Sequence, residues 1–311
     1  MASMNLLDLA KLNGSDAVVG LIEDSIEAAP ELKVIPARTI KGTTYQTVVR
    51  TGLPSVGFRS ANQGVAAGKS KFASKIVQAF ILSGRIEIDQ AILLAGDRSP
   101  EELKAIEGSG VMEAILRAVG TQVFYGTAAD GKGFPGLASM VDDDMVVDAT
   151  GSSSATGSSV YAVRFGPKAV EFVTGNNTVM DLGAWRIESM IDADGKKFPA
   201  EVADLTGWIG LQCVSKYAVG RIRDLTADTG KGLTDLLVAT LLAKWRGPGP
   251  DALFMNRRSA FQLQTSRTLV ANVTTSGKAD GGLTSFAPQP TESNGIPIVI
   301  TDQLTNTETL V

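Results

Sequence analysis

One stretch of the sequence carries the pattern of a phosphate-binding loop. Residues 126–133 read GTAADGKG and match G-x-x-x-x-G-K-[ST] except at the last position. Gly133 stands there in place of the hydroxyl residue that would hold magnesium. A loop of this kind follows a strand and opens a helix, whereas this one follows a predicted helix and runs into Phe134-Pro135-Gly136. The pattern favours a glycine-rich turn, with a nucleotide-binding enzyme that uses residues 126–133 as the alternative.

The rest of the composition removes most other catalytic chemistry. The chain has no histidine and one cysteine, Cys213, which excludes imidazole triads, an intrachain disulfide and a cysteine-rich zinc site. Residues 142–144 are all aspartate and Asp148 is nearby, but they lack the ligand spacing of a calcium loop. We expect a solvated acidic loop, no cofactor and no metal. Carboxylate or lysine catalysis stays open, yet the composition does not favour an enzyme.

The strongest signal is electrostatic. Between Glu31 and Glu87 the chain has no acidic residue and nine basic ones. Because the whole chain has a formal net charge of −4, the remainder carries −13. Residues 43–49 and 72–82 are rich in strand-forming types, and glycine and proline are frequent between them. This pattern predicts a long basic hairpin with an irregular tip and few residues able to build a core.

Three interpretations of the basic hairpin compete. It is an ordinary solvated face, a nucleic-acid surface, or an arm that lies on the acidic surface of a neighbouring copy. A solvated face rarely excludes acids over 55 residues, and the chain as a whole is acidic. Aromatic residues able to stack on bases are sparse in this segment. Because the opposite charge lies on the same chain, self-association is favoured.

The remaining elements predict an α+β protein. Residues 99–124 form one long helix, with Ser99 as the N-cap and Pro100 at the first helical position, unless Gly108 and Gly110 break it. We expect a short helix at 15–28, short strands from residue 160, and one long strand at 208–223. Further predicted elements are a buried helix at 233–245, a helix after Asn256 and a closing strand at 295–300.

The bulk properties fit a folded protein. The chain has 311 residues, of which 44% are hydrophobic and 20% charged, enough for a large core and two subdomains. No apolar run reaches the roughly 18 residues that span a bilayer. The N-terminus does not read as a secretion signal, so we expect a cytoplasmic product that does not bind membranes.

Taken in order, these segments resemble the major capsid proteins of tailed bacteriophages with the Hong Kong 97-type fold. The resemblance covers nearly the whole chain, and no single motif is as specific as a zinc signature. It rests on residues 6–16 (LLDLAKLNGSD), 36–59 (PARTIKGTTYQTVVRTGLPSVGFR), 123–126 (VFYG), 134–138 (FPGLA), 253–258 (LFMNRR) and 295–302 (GIPIVITD).

The resemblance implies a division of the chain into named parts. The parts are an N-terminal arm (1–33), an extended E-loop (34–80), a peripheral domain (81–125 and 160–224, with the spine helix at about 99–124) and an axial domain (126–159 and 225–311). The long strands come before the axial helices here, which is not the usual order. We therefore expect a permuted connection of the same fold.

The resemblance also implies a function and partners. Many copies would form hexamers and pentamers that close into an icosahedral shell around double-stranded DNA, bound without sequence specificity. Separate scaffolding, portal and decoration proteins are further expected partners, and the product would be a virion capsid assembled in the host cytoplasm. A bacterial nanocompartment shell of the same fold, which encloses an enzyme, is the alternative. The E-loop residues expected at contacts between subunits are Arg38, Lys41, Arg50, Phe58, Arg59, Lys69 and Lys71.

Overall fold

A computed structural model describes residues 29–95, 99–127, 132–153, 156–176, 180–275 and 287–310 of the chain. The predicted helix at 15–28 lies outside these residues. No helix in the described ranges has the length and apolar character needed to cross a membrane.

The described chain is a mixture of helices and strands, as predicted. The helices are α1 (Glu31–Val34), α2 (Gln90–Ala95), α3 (Pro100–Tyr125), α4 (Leu137–Met140), α5 (Asp235–Ala243) and α6 (Arg257–Thr275), with a 3-10 turn at Asp143–Met145. The strands are β1 (Ala37–Thr39), β2 (Thr44–Gly52), β3 (Lys71–Gln78), β4 (Phe80–Asp89), β5 (Val146–Asp148), β6 (Ser158–Val163), β7 (Val170–Thr174), β8 (Met180–Leu182), β9 (Arg186–Ile191), β10 (Lys197–Cys213), β11 (Val219–Leu225), β12 (Ala252–Met255), β13 (Glu292–Ser293) and β14 (Ile296–Ile300).

The predicted spine helix is confirmed as α3, which runs unbroken through Gly108 and Gly110 for 26 residues. Its first turn is capped as expected, since the Ser99 hydroxyl accepts a hydrogen bond from the backbone N–H of Glu102 at 3.3 Å. The helix is about 39 Å long at about 1.5 Å per residue. Its buried side chains are Leu103, Ile115, Val119, Val123 and Phe124.

The first sheet is organised around β10, a strand of 17 residues. Strand β4 pairs antiparallel along one side of β10, and β9, β8 and β7 pair in succession along the other side. Strand β1 then pairs parallel to β7. Helix α3 packs on β4 so closely that a Cβ atom on Gly84 would lie 2.8 Å from the Ile115 side chain. The glycine therefore permits the helix to lie on the sheet.

The second sheet has the order β13-β14-β12-β6-β11-β5. Helices α5 and α6 supply apolar side chains to one core with this sheet, among them Leu241 and Leu263 against Val160, Ile222 and Leu253. A Cβ atom on Gly220 of β11 would lie 2.8 Å from the Trp245 ring, so the segment after α5 covers β11 directly.

One expectation about the strands from residue 160 onward is not met. The predicted single strand at 208–223 is two strands, because the chain leaves the first sheet at Cys213 and enters the second at Val219. Strand β6 pairs with both β11 and β12 in the second sheet. Only two polar residues, Ser215 and Lys216, interrupt the apolar pattern at the turn, so the change of sheet has a weak hydropathy signal. The domain boundaries stay a prediction.

The basic hairpin is present with the expected form. Strands β2 and β3 pair antiparallel with each other and form a separate two-stranded ribbon among the described strands. Residues 53–70 at its tip have no helix or strand. The ribbon joins the first sheet directly, since β4 begins at Phe80, two residues after β3 ends.

Candidate assembly surfaces

The hairpin tip exposes large apolar side chains to solvent. Leu53 is 77% exposed, Val56 89% and Phe58 109%, which means that Phe58 is as accessible as in an extended chain. Single exposed apolar residues are ordinary on protein surfaces, but a cluster of them marks an interaction site.

One face of the ribbon also exposes apolar side chains to solvent. The register places Val48 opposite Ser74 and Arg50 opposite Phe72, with Ile76 on the same face. Val48, Phe72 and Ile76 are each more than 60% exposed. We call these three residues the outer apolar stripe. A two-stranded ribbon is marginally stable by itself in water, so exposing such a stripe indicates a partner surface.

The basic residues expected at subunit contacts behave in three ways. Arg38 pairs within its own chain, because its guanidinium lies 3.0 Å from the buried carboxylate of Glu171. Arg50 lies over the Phe72 ring at 5.5 Å, and Arg59 donates to a tip carbonyl at 3.0 Å. Within the described residues, no hydrogen bond or ion pair is formed by the side chains of Lys41, Lys69 and Lys71. Arg38 therefore has a partner inside its own chain, and the role of all six cations at subunit contacts stays a prediction.

The first sheet carries an exposed network of charges. Arg85, the last basic residue before Glu87, contacts Glu87 at 2.5 Å and Glu188 at 2.7 Å. Arg186 pairs with Glu188 at 2.6 Å and with Asp204. The arginines lower the pKa of the carboxyl groups of Glu188 and Asp204, with Arg186 the larger cause in both. Arg85 therefore belongs to the sheet and not to the free positive surface of the hairpin.

A cluster that the sequence did not reveal holds residues 301–310 to helix α3 and to the second sheet. Glu308 accepts hydrogen bonds from the Tyr125 hydroxyl at 2.6 Å and from the Ser159 hydroxyl at 2.5 Å. Arg221 donates to the same carboxylate at 3.1 Å, and its side chain is largely buried. Residues 301–310 thus connect the end of α3 to the second sheet. No local motif marks these partners, which are between 87 and 183 residues away from Glu308 along the chain.

The glycine-rich segment after α3 follows a helix, as predicted, and its described glycines have a packing role. A Cβ atom on Gly126 would lie 2.3 Å from a backbone oxygen, and one on Gly133 would lie 2.4 Å from the Gln122 amide. That amide donates to the carbonyl of Phe134 at 2.6 Å. Residues 128–131 lie outside the described chain. The flanking geometry is that of a tight turn closed on the helix end.

Aspartates of the acidic loop at residues 142–148 pair with basic side chains of the same chain. Lys216 lies 3.0 Å from Asp144 and 3.9 Å from Asp142, and Arg223 lies 3.2 Å from Asp148. The described residues contain no group of three or more ligand side chains placed to hold a metal ion.

Comparison with known proteins agrees with this geometry. A family model described as "Major capsid protein GP7" matches residues 13–311. No curated protein matches the sequence at a significant level. The structure of bacteriophage Epsilon15 matches with a TM-score of 0.71 and 16% identity, over 100% of this chain and 98% of that chain, which shows the fold.

Two more distant structures match weakly. Mycobacterium phage Adephagia matches with a TM-score of 0.45 and 11% identity, over 71% of this chain and 98% of that chain. A holo-encapsulin complex from Synechococcus elongatus matches with a TM-score of 0.48 and 8% identity, over 73% of this chain and 97% of that chain. These likenesses are too weak to carry an argument.

The predicted Hong Kong 97-type fold is thus confirmed. The exposed ribbon and tip also suit a protein that works by contacting other proteins. Since the family model covers nearly the whole chain, the chain belongs to the GP7 family of major capsid proteins and is a structural protein of a bacteriophage capsid.

Proposed function

We propose that copies of this chain form hexamers and pentamers that close into an icosahedral shell around double-stranded DNA, and that the hairpin of each copy lies on a neighbouring copy. The observation that carries this proposal is the outer apolar stripe and the exposed tip on a ribbon that projects from the first sheet. The role is structural and not catalytic. Assembly takes place in the host cytoplasm, with separate scaffolding, portal and decoration proteins as partners.

The apolar side chains supply most of the strength of such a contact. Burying one exposed Val, Leu, Ile or Phe side chain is worth about 1.5–3 kcal/mol. Exposed ion pairs contribute only about 0–1 kcal/mol each. The binding energy of the contact should therefore come mainly from burial of Val48, Phe72, Ile76 and Phe58. The surrounding lysines and arginines should orient the hairpin on its partner.

The body of the chain offers a recess with matching chemistry. A pocket of about 350 Å³ on the first sheet is lined by the acidic residues Glu87, Asp89 and Asp192 and by the apolar Ile191 and Phe198. Glu87 is already paired with Arg85, which leaves Asp89 and Asp192 to attract a cation. The hairpin tip presents Phe58 beside the cationic Arg59. An acidic recess with apolar walls suits such a tip, which supports a neighbouring copy as the partner. In this proposal the shell confines the DNA without sequence recognition, and the net charge of −4 does not favour strong attraction to its phosphates.

A triple charge reversal tests the docking of the hairpin. Arg50, Arg59 and Lys69 are all changed to Glu, and assembly in the absence of DNA is scored by electron microscopy. We expect isolated capsomers or no particles, while circular dichroism shows that the subunit still folds. The matched control reverses three exposed cations of the body that do not line the recess, Lys168, Lys244 and Arg246, and so changes the net charge equally.

The outcomes separate the interpretations of the basic segment. Loss of particles in the hairpin variant but not in the control supports docking on a neighbouring copy. Normal empty shells that fail only to retain DNA would assign the hairpin to nucleic acid. Normal shells that also retain DNA would leave the hairpin as a solvated face. Either of the last two results overturns the docking proposal.

A further inference from the structure

The base of the hairpin is held on both of its strands, whereas its far end is exposed. On the β2 side, the Arg38 guanidinium lies 4.6 Å from the centre of the Tyr45 ring. Tyr45 is the second residue of β2 and pairs with the buried Val77 of β3. The cation–π contact therefore holds Arg38 against the base of the ribbon.

Arg38 is itself held firmly by the first sheet. Its guanidinium donates to the Gln212 side chain at 3.0 Å and lies 3.0 Å from Glu171, whose side chain is only 5% exposed. Gln212 is oriented in turn by donating to the carbonyl of Pro167 at 2.8 Å. The planar guanidinium contacts the carboxylate, the amide oxygen and the aromatic ring together, which an ammonium group does less well.

The contact on the β3 side is formed by Lys75. Its ammonium group donates to the backbone carbonyls of Cys213 at 3.4 Å and Val214 at 3.2 Å, where β10 ends. Lys75 pairs with Thr47, two residues further along the ribbon than Tyr45. Since a strand rises about 3.3 Å per residue, the two contacts are about 7 Å apart along the ribbon.

Closer to the base than both contacts, the backbones cross too closely for side chains. A Cβ atom on Gly210 would lie 2.4 Å from the carbonyl oxygen of Gln78. One on Gly175 would lie 3.0 Å from the Ala79 side chain and 3.2 Å from the carbonyl oxygen of Gly42. The backbone N–H of Asn176 donates to that same Gly42 carbonyl at 3.1 Å. The crossing forms a fixed point, and contacts on each strand beyond it resist rotation about that point.

We propose that Arg38 and Lys75 are positioning residues that form a two-sided clamp, which holds the hairpin at one angle to the first sheet in the free subunit. The two residues therefore differ in role from the other cations of the segment between Glu31 and Glu87, which has no acidic residue. Their charges act inside the subunit, whereas the side chains of Lys41, Lys69 and Lys71 are exposed and form no hydrogen bond or ion pair among the described residues.

The consequence for assembly rests on the proposed docking of the hairpin. An arm that is already oriented loses less conformational entropy when it binds, so contact forms more readily. The same angle in every copy also presents the outer apolar stripe in the same direction, which a regular shell requires.

Distance measurement in the unassembled subunit tests the clamp without requiring shells. Spin labels are attached at Thr51→Cys, at the far end of β2, and at Ser109→Cys, on the exposed side of α3. Cys213 is half-buried and burial raises the pKa of its thiol to about 11, so it reacts with the label more slowly than the two exposed cysteines. Dilution of the labelled chain with unlabelled protein leaves the distance within one subunit as the signal.

The test compares variants with equal loss of charge. In the Arg38→Met, Lys75→Met pair we expect a distance distribution at least about twofold broader than in the parent, since the freed ribbon samples more orientations. In the Lys41→Met, Lys71→Met pair, which removes two outward cations from the same region, the width should not change. Lys75→Met alone, which leaves Glu171 paired, should broaden the distribution to a smaller extent and cannot unfold the core.

Each outcome decides the proposal. Equal widths in the parent and the clamp pair would overturn it, whether both are narrow or both are broad. A broadened control pair would overturn it too, because charge alone would then explain the effect. If the clamp pair fails to fold, Lys75→Met alone decides, and an unchanged width there refutes the two-sided clamp. Normal clamp behaviour in a chain that never forms shells would contradict the proposed function and leave the clamp intact.

Discussion

Placing a carboxylate on the buried stripe of α3 should destabilise the subunit strongly. Ile115 is 6% exposed and packs against Gly84 of β4. In Ile115→Asp the lost apolar burial costs about 2–3 kcal/mol. A neutral carboxyl without a hydrogen-bond partner adds about 1–3 kcal/mol. We therefore expect a loss of about 3–6 kcal/mol at low pH, where the new carboxyl is protonated in both the folded and unfolded states.

The loss should grow with pH. Burial raises the pKa of the new aspartate above its ordinary value of about 3.9, so the unfolded state ionises first. Above that value the destabilisation increases by about 1.4 kcal/mol per pH unit until the folded state ionises as well. Because a domain of ordinary stability has only about 5–15 kcal/mol, the variant should be largely unfolded near neutral pH.

Urea denaturation of the unassembled subunit at several pH values, followed by tryptophan fluorescence, measures this effect. Met112→Asp is the matched control, since Met112 lies one turn earlier on the same helix and is 37% exposed. Its cost should stay within about 0.5–1 kcal/mol and should vary little with pH. Equal losses in the two variants, or a loss in Ile115→Asp that shrinks as pH rises, would refute the packing of α3 described above.

Three further substitutions test other parts of the fold. Gly210→Ala forces a Cβ atom to within 2.4 Å of the Gln78 carbonyl and should cost about 1–3 kcal/mol in urea denaturation, whereas Gly57→Ala meets no described atom within 4 Å and should be neutral. Glu308→Ala leaves Arg221 without its buried partner and should cost about 3 kcal/mol, seen as a lower Tm; an unchanged Tm would mean that residues 301–310 do not hold α3 to the second sheet. Burial raises the pKa of Glu31 above its ordinary 4.5, so the wild-type subunit loses stability as pH rises through that pKa. Glu31→Gln should remove this pH dependence, so its Tm should exceed that of the wild type between pH 5 and 8. Parallel profiles of Tm against pH in the two proteins would contradict this prediction.

The features that the sequence predicted well are those with local causes. Helix α3 has its cap, its first-turn proline and its apolar stripe within a few residues of one another, so its bounds were predicted nearly to the residue. The hairpin was predicted because alternating strand residues and one sign of charge occur in a continuous segment. Both signals can be read without knowledge of the tertiary structure.

The features that were missed depend on distant residues. The pairing of Arg38 with Glu171 was missed because Glu171 lies far along the chain, outside the segment without acidic residues. The break between β10 and β11 was missed because Ala218 and Val219 are as buried as the residues before the turn. The network at Glu308 has no motif, since its members come from α3, β6, β11 and the end of the chain.

Electron cryomicroscopy of the assembled particle would show directly whether the hairpin of each copy docks on a neighbouring copy. We expect a closed shell in which the ribbon of each copy lies on a neighbouring copy, with Val48, Phe72 and Ile76 covered by that neighbour. A particle in which the three side chains remain as exposed as in the single subunit, with the ribbon projecting into solvent, would contradict it.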